Sequence, residues 1–292
     1  MMESTPTTSV ERDSVTTTIN WAGIALFIVL AFGISWATWL ILGALGIPFR
    51  TRTAIGMFGP AVACLLVRLI RREGFTDAGL SVFGPGVRGA DRLYLAAYFV
   101  PLALLIIGIG IALLAGVQMW ILPDYLRALH LSLPIFVLIS LSTLTLGVLT
   151  TMVFTFGEEF GWRGYLLPRL SPLGGTTAAI IVGVIWGLWH APLIFLYGYE
   201  YNDLHSLLGV FMFVLPSTSL SIILAWLRFR SGSIWPTVLA HAVGNQAAGL
   251  ALIALVTPGN LYLGAPIGLI GILPSAAFAT WLVVTGRLKP EG

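Results

Sequence analysis

Eight apolar runs follow one another along this chain, broken by proline, glycine or charge rather than by a soluble loop. They fall at about 21–46, 54–70, 93–117, 134–168, 176–197, 207–227, 234–256 and 262–285. A helix needs ~20 predominantly apolar residues to cross a bilayer core, and the runs are of that order. Charge is scarce enough to exclude the alternative of a buried soluble core. Only 9% of the 292 residues are charged and mean hydropathy is +0.95, against about 25% charge in a soluble domain. Such a chain cannot cover a water-facing surface. The expected fold is an all-α polytopic membrane protein of about eight transmembrane helices. The fourth run is too long for one straight crossing, which predicts a tilted or kinked helix, or a crossing preceded by an interfacial segment.

The basic residues fix an orientation. With the N-terminus inside and eight spans, twelve arginines and lysines fall on the cytoplasmic side. Only Arg50, Arg52 and Arg127 fall outside. An odd number of spans would scramble that positive-inside bias. Both termini are therefore expected in the cytoplasm, in a cell (plasma) membrane. The same scatter speaks against nucleic acid as a partner, although the pI is 9.2 and the net charge +3, because no basic run or aromatic-interleaved patch occurs. Residues 1–19 are polar, Thr/Ser-rich and mixed in charge, and read as a disordered cytoplasmic tail. Residues 20–287 read as a single transmembrane domain whose core, 134–250, holds the unusual polar residues. The single cysteine, Cys64, excludes an intramolecular disulfide and a Cys-based zinc site.

An ionisable group at bilayer depth costs several kcal/mol, about 2.5–3.5 on insertion scales, and so usually has a task. Three spans carry such groups. In GEEFGWR, 157–163, Glu159 and Arg163 lie four apart on one helix face, a favourable ion-pair spacing. Glu158 points about 100° away, which leaves it free for chemistry. In WGLWH, His190 follows Trp186 and Trp189, and in HAVGN, His241 and Asn245 share a face. Counting ~1.5 Å per residue brings all of them to one depth band. Taken singly, each has a structural reading: a histidine or asparagine bonding a neighbouring helix, Glu159–Arg163 a structural pair, the tryptophans packing or interfacial, and Gly244, Ala247 and Ala248 allowing close helix packing. Together at one depth they point to a site, with Trp186 and Trp189 beside the substrate.

The set suits activation of water. A desolvated Glu158 can take a proton from water, with His190 positioning that water, and His241 and Asn245 can donate to the oxyanion formed when water attacks an amide. A zinc version of the site would use Glu158, His190 and His241 as ligands. Spacing neither excludes nor requires it, and no HExxH is present.

These residues resemble a known family. GEEFGWR contains the EExxxR pattern of the CPBP family, the CAAX-protease and bacteriocin-processing (Abi) membrane endopeptidases. WGLWH resembles its FxxxH motif, with Trp186 in place of phenylalanine, and HAVGN resembles its HxxxN/D. The resemblance implies a glutamate-dependent intramembrane endopeptidase whose cavity opens toward the cytoplasm. Glu158 would be the base, His190 would hold the water, His241 and Asn245 would line the oxyanion site, and Glu159 and Arg163 would support them. The implied substrate is a peptide or a lipidated, CAAX-like protein among membrane lipids. Two alternatives use the same residues: a catalytically silent immunity or peptide-binding membrane protein, and a proton-coupled transporter.

Overall fold

The computed structural model describes residues 19–83, 90–202, 205–256, 261–264 and 267–289. The expected tail, residues 1–19, lies outside the described residues apart from Ile19. The chain runs α1 (Trp21–Ala44), α2 (Phe49–Gly56), α3 (Gly59–Ile70), α4 (Ala90–Leu114), β1 (Met119–Trp120), α5 (Leu122–Ala128), α6 (Leu133–Ser142), α7 (Val148–Gly161), α8 (Leu167–Leu170), α9 (Gly175–Trp189), α10 (Ala191–Tyr197), α11 (Leu207–Ser231), α12 (Trp235–Ala254), β2 (Leu255–Val256) and α13 (Leu273–Val284). β1 and β2 form one two-residue antiparallel pairing. Otherwise the fold is helical, a multi-pass membrane protein with seven helices long and apolar enough to cross a bilayer among the described residues.

The eighth expected span takes a different form. Only 273–284 is helical, about 18 Å at 1.5 Å per residue and short of the ~30 Å hydrocarbon core. The stretch before it is rich in glycine and proline (Gly264, Pro266, Gly268, Gly271), which favour turns over a continuing helix. Irregular backbone at membrane depth is tolerated where it is buried in protein or lines a cavity. Ile267, Gly271 and Ile272 do line one.

The fourth run is a single helical stretch, Leu133–Leu173. It includes two π-helical turns, Thr143–Gly147 and Trp162–Leu166, each of which widens the helix by one residue. α6, its first part, buries none of its residues. The second π turn falls directly after GEEFG and is fully buried.

Small residues set two helix crossings. A Cβ on Gly157 would meet the Met57 carbonyl at 2.8 Å, and one on Gly161 would run into Pro60, so the glycines of GEEFG seat α7 against α3. On α9, a Cβ on Gly183 would lie 2.6 Å from Thr218 Cα, and one on Gly187 2.8 Å from Val214 Cα of α11. This is the small-xxx-small packing that lets membrane helices approach closely. It fixes how Trp186 and His190 are presented. Gly244 behaves otherwise: its Cβ would meet nothing within 4 Å, so with Ala248 it borders open space instead of packing helices.

At the end of the bundle that carries the termini, Asn20 bonds Arg71 at 3.1 Å, and the Leu288 carbonyl lies against Gly175. The segment 71–81 is clamped there. Arg68 donates to Gly74 and Gly164 carbonyls and to Asp77, and Arg169 donates to Glu73 and Asp77.

Candidate active site

Glu158 and Glu159 sit in the last turn of α7, and both are buried, at 2% and 0% exposure. Their partners differ. Glu159 Oε1 accepts from Arg163 Nη1 at 2.8 Å and from His241 Nδ1 at 3.0 Å. Glu158 Oε2 accepts from the Trp186 indole at 2.6 Å. The spacing argument holds: Arg163 takes Glu159 and leaves Glu158. Arg163 is fully buried, with its guanidinium carbon 4.7 Å from the Trp186 ring centroid.

His190 stands where α9 ends and α10 begins. Pro192, in the first turn of α10, cannot donate to a carbonyl one turn back, and the helix breaks there. The His190 amide bonds the Gly187 carbonyl instead. His190 Nδ1 lies 2.9 Å from the Trp186 carbonyl. A carbonyl only accepts, so Nδ1 carries the proton and Nε2 keeps its lone pair. Around the ring stand Trp189 and Phe213, each 4.7 Å away between centroids, with Tyr199 parallel at 6.4 Å. His241, 4% exposed, likewise gives Nδ1–H to Glu159 and leaves Nε2 for a guest. Asn245 stands one turn further along α12, exposed, on the same cavity wall.

The cavity has a volume of about 390 Å³. Glu158, Trp186, Trp189, His190, His241 and Asn245 all line it, as do Tyr199 and Glu200. Every expected site residue except the supporting Glu159 and Arg163 reaches this one wall, and those two lie directly behind it. The remaining lining is mostly apolar: Leu104, Leu105, Leu220, Ile223, Leu252 and Ile272. The lining residues come largely from the halves of α1, α4, α9, α11 and α12 furthest from the described chain ends. Trp162, Tyr165, Leu166 and Leu170, on the side toward those ends, are all buried.

The zinc version finds no ligand shell. Among the described residues no three His, Cys, Asp or Glu side chains are gathered as a metal site would need. Glu158 is turned to the Trp186 indole.

Trp186, expected beside the substrate, serves both halves of the site, its indole to Glu158 and its carbonyl to His190. Three contributors escape linear reading. Arg68 and Arg228 donate to the Gly164 and Arg163 carbonyls of the π turn, at 2.8 and 3.3 Å. Glu200 enters the wall from a loop between spans.

Residues 139–247, which span every residue named in the catalytic set, match the family described as Rce1-like, type II CAAX prenyl endopeptidase. CAAX prenyl protease 2 of Methanococcus maripaludis is 36% identical over 95 residues, 30% of this chain and 34% of that protein. The match thus spans about a third of the relative's length.

Proposed function

We propose, for a chain whose residues 139–247 match the Rce1-like family of type II CAAX prenyl endopeptidases, that it is an intramembrane endopeptidase acting through glutamate-activated water. Its substrate would be a prenylated or otherwise membrane-associated peptide or protein. One observation carries the reading: Glu158, held by the Trp186 indole, heads a cavity whose wall also carries His190, His241 and Asn245.

The chemistry follows from the free atoms. A water bound between Glu158 and His190 Nε2 gives its proton to the Glu158 carboxylate as its oxygen attacks the peptide carbonyl carbon. Charge then develops on the carbonyl oxygen. The Asn245 amide donates to it, and so does His241 Nε2 when the imidazole carries both protons, its charge set against Glu159. Glu158 returns the proton to the departing amine as the C–N bond breaks. Arg163 and Glu159 hold the His241 ring and never touch substrate. The apolar wall, and the removal of the site from bulk water, strengthen each of these interactions. No step is routed through a metal.

The experiment is cleavage of prenylated and plain peptides by purified protein in detergent. Glu158→Gln is expected to lower kcat by at least about a thousandfold, and His190→Ala by a hundredfold or more, with melting temperatures kept. Full activity in Glu158→Gln would sink the base assignment. Binding without any wild-type turnover would turn the reading toward a silent peptide-binding protein.

The charge bias continues to favour cytoplasmic termini, so the cavity would lie in the outer half of the membrane. Thiol labelling on a Cys64→Ser background tests this. Arg127→Cys should react in intact cells and Arg72→Cys only after permeabilisation; the reverse pattern would turn the cavity to the cytoplasm.

A further inference from the structure

Glu200 lies outside the spanning helices, on the turn after α10, yet it lines the same cavity as Glu158. Backbone bonds fold this turn inward: Gly198 to Ile194, Tyr199 to Leu193 at 3.1 Å, Asn202 to Gly198 and His205 to Phe195, the last two at 2.7 Å. Glu200 itself has φ of +69°, a region where a long side chain is uncommon. The fold thus presents a carboxyl to the cavity.

Nothing cationic meets it there. The described lining residues include no lysine or arginine. Arg52, at that end of the bundle, is stacked on Tyr197 at 4.0 Å. The titratable groups sharing the cavity are Glu158, His190, His241 and Tyr199. Burial pushes the Glu200 carboxyl above its ordinary 4.5, the adjacent Tyr199 hydroxyl opposing it more weakly. The Glu200 carboxyl is thus open to a guest that brings its own positive charge.

We propose that Glu200 forms a cation subsite of the cavity, receiving the side chain of a lysine or arginine in the peptide substrate. The inference rests on the endopeptidase reading of this cavity and names what that peptide carries. A bound ammonium or guanidinium gives Glu200 a charge-assisted partner. A free C-terminal carboxylate beside Glu200 is repelled.

Binding, read separately from cleavage, tests it. Fluorescent prenylated peptides, with lysine moved through each position against a norleucine control, are titrated into Glu158→Gln protein in detergent. At one position lysine is expected to bind about tenfold more tightly than norleucine, the size of a charge-assisted hydrogen bond. In Glu158→Gln/Glu200→Gln the preference should fall to within about twofold, and Glu200→Asp should keep part of it. The preference should weaken as pH falls through the raised Glu200 value. That pH dependence should be absent from the Glu158→Gln/Glu200→Gln double variant, which has no carboxyl at position 200. Equal affinity for lysine and norleucine at every position, strong or weak, overturns the subsite, as does a preference that survives Glu200→Gln. Lost preference with wild-type cleavage intact removes the subsite alone. A retained preference with no cleavage removes the protease reading alone.

Discussion

The half of the bundle near the termini and the half that holds the cavity treat charge in opposite ways. Near the termini every arginine of the site region has been given oxygen partners. Arg68 and Arg169 share Asp77 at 2.7 and 2.8 Å, Arg228 reaches the Asp77 and Arg163 carbonyls, and Arg163 meets Glu159. In the cavity half, Glu158 is held by a neutral indole, and no lysine or arginine stands beside Glu200 among the described lining residues. The boundary runs between two adjacent residues, Glu158 and Glu159. Charge that holds helices together is neutralised on site, whereas charge that faces the cavity is kept without an arginine or lysine partner. An arginine paired with Glu158 would stabilise the carboxylate as an ion and make it a poorer base.

The sharpest way to break this comparison is to remove the pair behind the wall. Arg163→Met leaves Glu159 buried without its charge partner and is expected to cost about 3–5 kcal/mol, against far less for Arg163→Met with Glu159→Gln. Denaturant titration in mixed micelles measures both. If the single and double variants were equally destabilised, Arg163 would matter for packing and the ion pair would not.

Glycines separate the halves next. Gly161→Ala forces a Cβ into Pro60, and overpacking of this kind costs about 1–3 kcal/mol. Gly244→Ala meets open space, so it should gain up to about 1 kcal/mol from lost helix flexibility. Its cost should appear instead as a raised KM, because the new methyl borders the cavity. A loss of stability in Gly244→Ala would mean that the cavity is closed by packing there.

Trp186→Phe keeps the aromatic body and the backbone carbonyl while removing the N–H to Glu158. Loss of a hydrogen bond to a charged group predicts about a tenfold fall in kcat with KM little changed. An unaltered kcat would make Trp186 a packing residue only.

Part of this organisation was legible along the chain. The Glu159–Arg163 spacing, the division of labour between Glu158 and Glu159, and the gathering of His190, His241 and Asn245 on one wall all follow from helical periodicity and depth counting. Those quantities are local to a helix. Contacts between helices were not legible. Trp186 reads as one aromatic among several until the α9–α11 crossing turns its indole toward α7. Arg68 and Arg228 read as topology signals, yet their side chains return to cap the π turn. Glu200 falls between the fifth and sixth apolar runs, and no periodicity describes a turn that folds inward. The eighth run is helical only over 273–284 among the described residues: hydropathy scores Gly264, Gly268 and Gly271 lightly, whereas backbone geometry does not. Charge counting orients the ends of helices and says nothing about which half is hollow.

The smallest expected effect tests whether the clamped half depends on acidity. Burial raises the Asp77 carboxyl, but the hydrogen bonds and charges of Arg68 and Arg169 outweigh it and hold Asp77 below its ordinary 3.8. A group depressed on folding adds stability that is fully present above 3.8 and is lost as pH falls through its lower folded value. Asp77 is 42% exposed, so solvent screening limits the contribution to about 1 kcal/mol or less. Wild-type melting temperature should therefore drop slightly more than that of Asp77→Asn as pH falls below about 4, with the difference shrinking in high salt. The comparison is of slopes, since Asp77→Asn also strips a charge partner from buried Arg68 and starts from lower stability. Parallel slopes would mean that the network holds the 71–81 segment through hydrogen bonds to its carbonyls, which do not titrate. The contrast between the two halves would then rest on geometry alone.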